Sequence, residues 1–263
     1  MVIDFHAHVY PRRIAAAASE SIGRFYDIKT DFAGDTDTLL KLMDRGGIAR
    51  AVIHSAAMVP SKAGAVNRFI AGEVNAHPGR FIGFGTLHPD MTADEIHAEL
   101  TNALALGLKG IKIHNDMIRV AIDDPKMDKI YDACQDVCPL LLHMGDRRYH
   151  YDTPSQLPYV LRNFPRLKVI GAHMGGYSQW DEAMEYLKNE NVIVDCSSSR
   201  FVLGDRGLYD LIRFFGPDRV LFGSDFPMWD PADELASILR MGFSDEEKEK
   251  ILHKNAEDRL NGL

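Results

Sequence analysis

Eight short β-rich runs, each closed by glycine, proline or polar residues, recur along the chain at a nearly constant interval, and this beat limits the fold more than any other feature. The runs are 2–8 (VIDFHAH), 51–55 (AVIHS), 81–87 (FIGFGTL), 110–114 (GIKIH), 140–144 (LLLHM), 168–173 (KVIGAH), 192–196 (VIVDC) and 220–225 (VLFGSD). Their starts are separated by 49, 30, 29, 30, 28, 24 and 28 residues. The segments between them show helical spacing, as in Leu39, Leu42, Met43 and Ile48, or Ile96, Leu100, Ala103 and Leu104. Strands alternating with such helices form right-handed βαβ units and a parallel sheet. Eight units in 263 residues match a closed (β/α)8 TIM barrel of roughly 250 residues, whereas an open doubly wound sheet carries a glycine-rich turn after its first strand. Here that turn reads His-Val-Tyr-Pro. The reading is one barrel domain over residues 1–263 with its site at the C-terminal mouth.

The overlong first step predicts that residues 11–35 cross the mouth as a lid, because long connections after barrel strands carry specificity. Arg12, Arg13, Arg24, Phe25 and Tyr26 are its reaching side chains. The competing expectation is a helix packed on the barrel wall through Ala15 to Ala18 and Ile22. Residues 244–263 predict a closing helix, with Ser244 and Glu247 as a capping box and Ile251, Leu252, Ala256 and Leu260 as the apolar face.

Charge narrows the partners. Lys and Arg number 30 against 38 Asp and Glu, a net charge of −8, so the basic surface that holds nucleic acid or an anionic membrane is missing. A small-molecule substrate is the expected partner. Cys134, Cys138 and Cys196 are odd in number and form no CxxC pair, which suits a reducing compartment. The opening MVIDFHAHVYP has no apolar leader stretch, and a cytoplasmic location is expected.

Within the first strand, alternation groups Asp4, His6 and His8 toward the barrel axis, with Ile3, Phe5 and Ala7 toward the helices. Burying an aspartate and two imidazoles costs several kcal/mol without partners, and a cation at the mouth would satisfy them together. His54, His88, His114, His143 and His173 also fall at strand ends, so seven of eleven histidines share one rim, where strand 8 delivers Asp225. His6, His8, His143, His173 and Asp225 are read as a metal site. His54 and His88 are read as structural donors beside it, and His77, His97 and His253 as solvated helix residues.

His6-x-His8, His143, His173 in IGAHMGG, Asp225 in LFGSDFP and the terminal ILHKNAEDRLNGL resemble the amidohydrolase superfamily. More closely, they resemble the amidohydrolase-related family that includes aminocarboxymuconate semialdehyde decarboxylase. The resemblance implies that His6, His8, His143 and Asp225 hold one divalent metal, zinc first, with manganese, iron or cobalt as alternatives. It places His173 beside the metal's water as the general base, with Asp225 sharing the catalytic role, and it implies a homodimer. Lys112 on strand 4 stands where other branches of the superfamily carry a bridging carbamate. Its depth below His114 favours instead an ion pair with Asp4.

The first functional expectation is a hydrolase, in which metal-activated water, its pKa lowered to about 7, attacks a lactone, ester or amide. The chain is short for the family's decarboxylases and lacks their insertions. The alternative is nonoxidative decarboxylation of a small carboxylic acid, aromatic acids included, and a third class is a non-catalytic metal-binding barrel. His114, Arg147 and Arg200 are the candidate substrate-binding residues, with Arg148 beside them, and Tyr149, Trp180, Phe201 and Trp229 the candidate aromatic walls.

Overall fold

The computed structural model describes residues 1–260. Asn261, Gly262 and Leu263, the end of the expected closing helix and of the terminal motif, lie outside the described residues. Eight parallel strands stand in the order of the sequence: β1 (Ile3–His8), β2 (Arg50–His54), β3 (Phe81–Gly85), β4 (Gly110–Ile113), β5 (Leu140–Leu142), β6 (Val169–Gly171), β7 (Ile193–Asp195) and β8 (Val220–Leu221). The ring closes through backbone, since Phe5 N donates to Phe222 O at 2.7 Å and Asp225 N to His6 O at 2.8 Å. This is a (β/α)8 TIM barrel.

Helices lie between the strands: α1 (Arg12–Tyr26) and α2 (Thr36–Gly46) after β1, α3 (Ala63–Ala76) after β2, and α4 (Ala93–Ala105) after β3. The short α5 (Asn115–Ile118) and α6 (Pro125–Cys134) follow β4, α7 (Leu157–Asn163) follows β5, and α8 (Trp180–Leu187) follows β6. A kinked α9 (Arg200–Phe215) follows β7, and α10 (Pro231–Arg240) follows β8. The closing run begins at the Ser244–Glu247 capping box and continues as α11 (Asp245–Glu249), one π-turn and α12 (Asn255–Leu260). Among the described residues no helix is long and apolar enough to cross a membrane.

Strict alternation along β1 is corrected by the structure. Its pairing with β2 shifts between Asp4 and Ala7, and an extra residue in a strand reverses which face follows. Ile3 and Phe5 accordingly pack with Val52, Phe84, Leu141, Ile170 and Leu221 in one cluster built mainly from the strands. Ala7 joins the larger cluster shared with the helices. The shift lets an apolar plug fill the barrel floor while His6 and His8 still face its mouth. On the other strands the period of two holds, so Val52 and His54, Leu141 and His143, and Ile193 and Asp195 pair an apolar floor residue with a polar rim residue.

Candidate active site

Three ligand atoms converge at the mouth. His6 Nε2 and His8 Nε2 are 3.2 Å apart, and Asp225 Oδ1 is 3.4 Å from each. A cation held at about 2.1 Å spaces its ligands by roughly 3.0–3.4 Å in octahedral or tetrahedral geometry, and the spacing of these three atoms fits one face of such a shell. The residues fit a divalent ion.

Asp195, which closes β7, sets this arrangement and went unnoticed in the sequence. Its carboxylate accepts the His6 Nδ1–H at 2.8 Å, the backbone N–H groups of His173 and Ser197 at 3.2 and 3.1 Å, and the Ser197 hydroxyl. With the proton of His6 fixed on Nδ1, Nε2 offers its lone pair to the mouth. Asp225 is oriented similarly: Ser198 Oγ donates to its Oδ2 at 2.5 Å and receives the Trp229 indole N–H at 2.8 Å. His173, Met174, Ser198 and Asp225 all have left-handed backbones, with φ of 57°, 55°, 53° and 62°. Such conformations in non-glycine residues are uncommon and collect at functional sites.

His143 and His173 form the next layer. His173 Nδ1 lies 2.9 Å from Ser197 Oγ and 3.2 Å from Ser197 O, and the carbonyl assigns the proton to Nδ1. By the same rule Gly145 O, 3.0 Å from His143 Nε2, keeps the His143 proton on that atom, with Tyr26 Oη at 3.2 Å; His143 Nδ1 and His173 Nε2 then face each other 3.0 Å apart as two lone-pair donors. His114 stacks on His143 with ring centroids 3.8 Å apart, and its Nε2 meets Tyr26 Oη at 2.8 Å. The pocket thus gathers His8, His114, His143, His173 and Asp225 on its lining.

Within residues 11–35, Arg12–Tyr26 form α1, and one face of α1 borders the mouth. Ala18, Ser21, Ile22 and Tyr26 line the pocket, while Ala15, Ser19 and Gly23 are buried on the helix's other contacts. Arg148 clasps the end of this helix: its Nη1 donates to Phe25 O at 2.8 Å, and its guanidinium lies 5.3–5.6 Å from the ring centroids of Phe25, Tyr26 and Tyr149. Asp146 binds the other edge of that guanidinium.

The structure sends other candidates elsewhere. Arg147 is bound to Ser178 O and Asp181, and Arg200 to Asp205 and Glu234, so neither guanidinium lines the pocket. Trp180 supports His173 instead of walling a substrate, donating Nε1–H to its carbonyl at 3.0 Å, and Phe201 stacks on Trp229 at 4.4 Å. Asp4 is not the partner of Lys112; it accepts from Ser224 Oγ, Ser224 N and His6 N. Lys112 Nζ is buried with no hydrogen-bond partner, and both His54 ring nitrogens are likewise unpartnered beside the His6 and His8 rings. His54 is therefore no donor to its neighbours.

Burial dominates the titration of this cluster. It pushes His173 down to about 4, holds His6, His8, His54, His114 and His143 well below the ordinary histidine value, and raises Asp225 to about 7. Neutral imidazoles are the ligand-competent form.

Fold and mouth together define a (β/α)8-barrel enzyme with a polar site at the ends of its strands. The amidohydrolase family model matches residues 3–261, and the chain belongs to that family. It is 27% identical over 233 residues to 2-amino-3-carboxymuconate-6-semialdehyde decarboxylase of Dictyostelium discoideum, a match covering 73% of this chain and 64% of that relative's length. The fold superposes on 5-carboxyvanillate decarboxylase from Sphingomonas paucimobilis with a TM-score of 0.76 at 18% identity, covering 98% of each chain. It likewise superposes on dihydroxybenzoic acid decarboxylase from Polaromonas sp. JS666, crystallised with manganese and 2-nitroresorcinol, with a TM-score of 0.75 at 19% identity, covering 98% of this chain and 96% of that one. These relatives overturn the expectation of lactone, ester or amide hydrolysis: the sequence relative is a decarboxylase, and both solved proteins bear that name.

Proposed function

We propose that the chain is a divalent-metal-dependent, nonoxidative decarboxylase of a small aromatic or conjugated carboxylic acid, with His6, His8, His143 and Asp225 holding the metal. The observation that carries this reading is the 3.2–3.4 Å convergence of His6, His8 and Asp225 beneath a largely apolar pocket, in a chain related to a decarboxylase. The bound ion supplies positive charge for the substrate's carboxylate. Three imidazoles and a carboxylate suit zinc or manganese by donor type, and elemental analysis of the purified protein identifies which it carries.

The proton work falls to His173. In the reaction the bond from carbon to carboxylate breaks, its electron pair remains on carbon, a proton joins that carbon, and CO2 leaves. With its value near 4, His173 is neutral at pH 7 and accepts a substrate proton at Nε2. Its conjugate acid, formed in a desolvated site, returns the proton readily to carbon. Ser197 keeps the other proton on Nδ1 throughout. Tyr26 stays protonated, because burial raises it well above the ordinary phenol value, and closes the site as a hydrogen-bond donor.

The test is product analysis in D2O with the metal-loaded protein and a panel of hydroxybenzoic acids. CO2 release with deuterium at the vacated carbon supports the proposal. A product that gains a water oxygen and retains its carboxyl carbon refutes it.

A further inference from the structure

The charge balance of the pocket restricts the acid it can take, an inference that rests on the decarboxylase reading. The cavity measures about 190 Å³, small beside typical ligand pockets of roughly 300–1,000 Å³. Among the described residues its lining contains no lysine or arginine, and its one formally charged side chain is the Asp225 carboxylate. Four arginines that follow strands at the rim are committed elsewhere, Arg12 to Asp37, Arg147 to Asp181, Arg148 to Asp146 and Arg200 to Glu234, and Arg119 is exposed and outside the lining. Lys112 is buried outside the lining; its charge acts on His8, His114, His143 and His173 and is set against those of Asp195, Asp225 and Asp152. A carboxylate entering the pocket therefore meets one countercharge on its wall, the divalent ion that His6, His8, His143 and Asp225 would hold.

The rest of the wall is uncharged. Ile22, Met58, Met117 and Met228 give it alkyl and thioether surface, and Ser21 and Tyr26 add hydroxyls. A second carboxylate would lose its water against this surface with no cation to meet it, whereas a ring hydroxyl or amine can bond to Ser21 or Tyr26.

We propose that the substrate carries a single carboxylate, the one that is lost, and that its other polar substituents are uncharged hydrogen-bonding groups. A one-ring hydroxy acid is the chemical class that fits. The pocket discriminates against acids with a second, fixed negative charge.

The test compares 2-hydroxybenzoate and 2,6-dihydroxybenzoate with 4-hydroxyisophthalate, which adds a second carboxylate to the 2-hydroxybenzoate frame. Calorimetric binding to manganese-loaded protein and CO2 release are both read. A monocarboxylate is expected to bind at least about 100-fold more tightly than the dicarboxylate, and to be the acid that releases CO2. Met58→Lys, at a residue 41% exposed and so tolerant of the change, is expected to narrow that gap about tenfold or more by supplying the missing cation. Equal or tighter binding of the dicarboxylate by the unaltered protein overturns the inference while leaving decarboxylation standing. Failure of every acid to bind or lose CO2 overturns the decarboxylase reading and this inference with it.

Discussion

Replacing Asp195 with asparagine tests whether the mouth is organised for metal from behind. The substitution keeps the shape of a side chain that is fully buried but removes its charge and half its acceptor capacity. Four donors now point at the carboxylate: His6 Nδ1–H, the two backbone N–H groups of His173 and Ser197, and the Ser197 hydroxyl. An amide oxygen accepts about two of these, and its NH2 must face a donor, so at least one buried donor loses its partner at a cost of about 1–3 kcal/mol. The same change releases the proton on His6 from Nδ1. A His6 that spends part of its time protonated on Nε2 cannot offer that atom, and the loss of such carboxylate support typically lowers metal affinity about 10–100-fold, or roughly 1.4–2.7 kcal/mol. Chelator competition with manganese or zinc measures the affinity, and circular dichroism reports whether the barrel is intact. A folded Asp195→Asn protein whose affinity stays within about twofold of the parent would refute the account.

Further outcomes follow from the same geometry. His173→Asn is expected to retain the metal, measured by elemental analysis, and to lose turnover about 10²–10⁴-fold; loss of the metal itself would mean that His173 is a ligand. Arg148→Ala removes the clasp on Phe25 O and the three rings, so amide exchange over residues 12–26 should accelerate at least about tenfold while the strands keep their protection, and unchanged exchange would show that α1 is held by its other contacts. In metal-free protein, seven histidines (His6, His8, His54, His88, His114, His143 and His173) are held low, against six raised acids, Asp4, Asp116, Asp128, Asp152, Asp225 and Glu234. Between about pH 6.5 and 4 the unfolded chain binds protons at the seven histidines that the fold refuses, whereas the fold binds protons at the six acids that the unfolded chain lacks. The excess lies with the unfolded state, so stability should fall as pH drops through this window; a urea midpoint that rises from pH 6.5 to pH 5 would contradict this.

The barrel was legible because its strands announce themselves twice, by β-rich composition and by a constant interval that leaves room for one helix each. Boundaries were less legible. The expected strand at 220–225 keeps regular pairing only at Val220–Leu221, because the chain then turns through Asp225 to aim its carboxylate. Histidines at strand ends were readable by the same logic, as their backbone positions are fixed by the barrel. Asp195 sat inside a run that reads as ordinary strand, and only its contact across the barrel with His6, 189 positions away, reveals what it does. Arg147 and Arg200 show the opposite failure, since a long flexible side chain near a rim reaches whichever carboxylate the helices bring close. The Lys112 and Asp4 pairing failed for a related reason: strand depth says which layer a side chain occupies, and Ser224 had already taken the carboxylate.

The left-handed backbones of His173, Met174, Ser198 and Asp225 bear on how this enzyme tolerates change. Each such conformation in an L-residue costs on the order of 1 kcal/mol relative to glycine, less for aspartate and histidine. A library selected for heat resistance alone would therefore drift toward glycine at these positions, gaining rigidity elsewhere while erasing the carboxylate and the imidazole that the turns exist to present. β-Branched residues would be purged from the same sites under either pressure. Engineers seeking a hardier catalyst should leave these four codons fixed and look for stability in the outer helices.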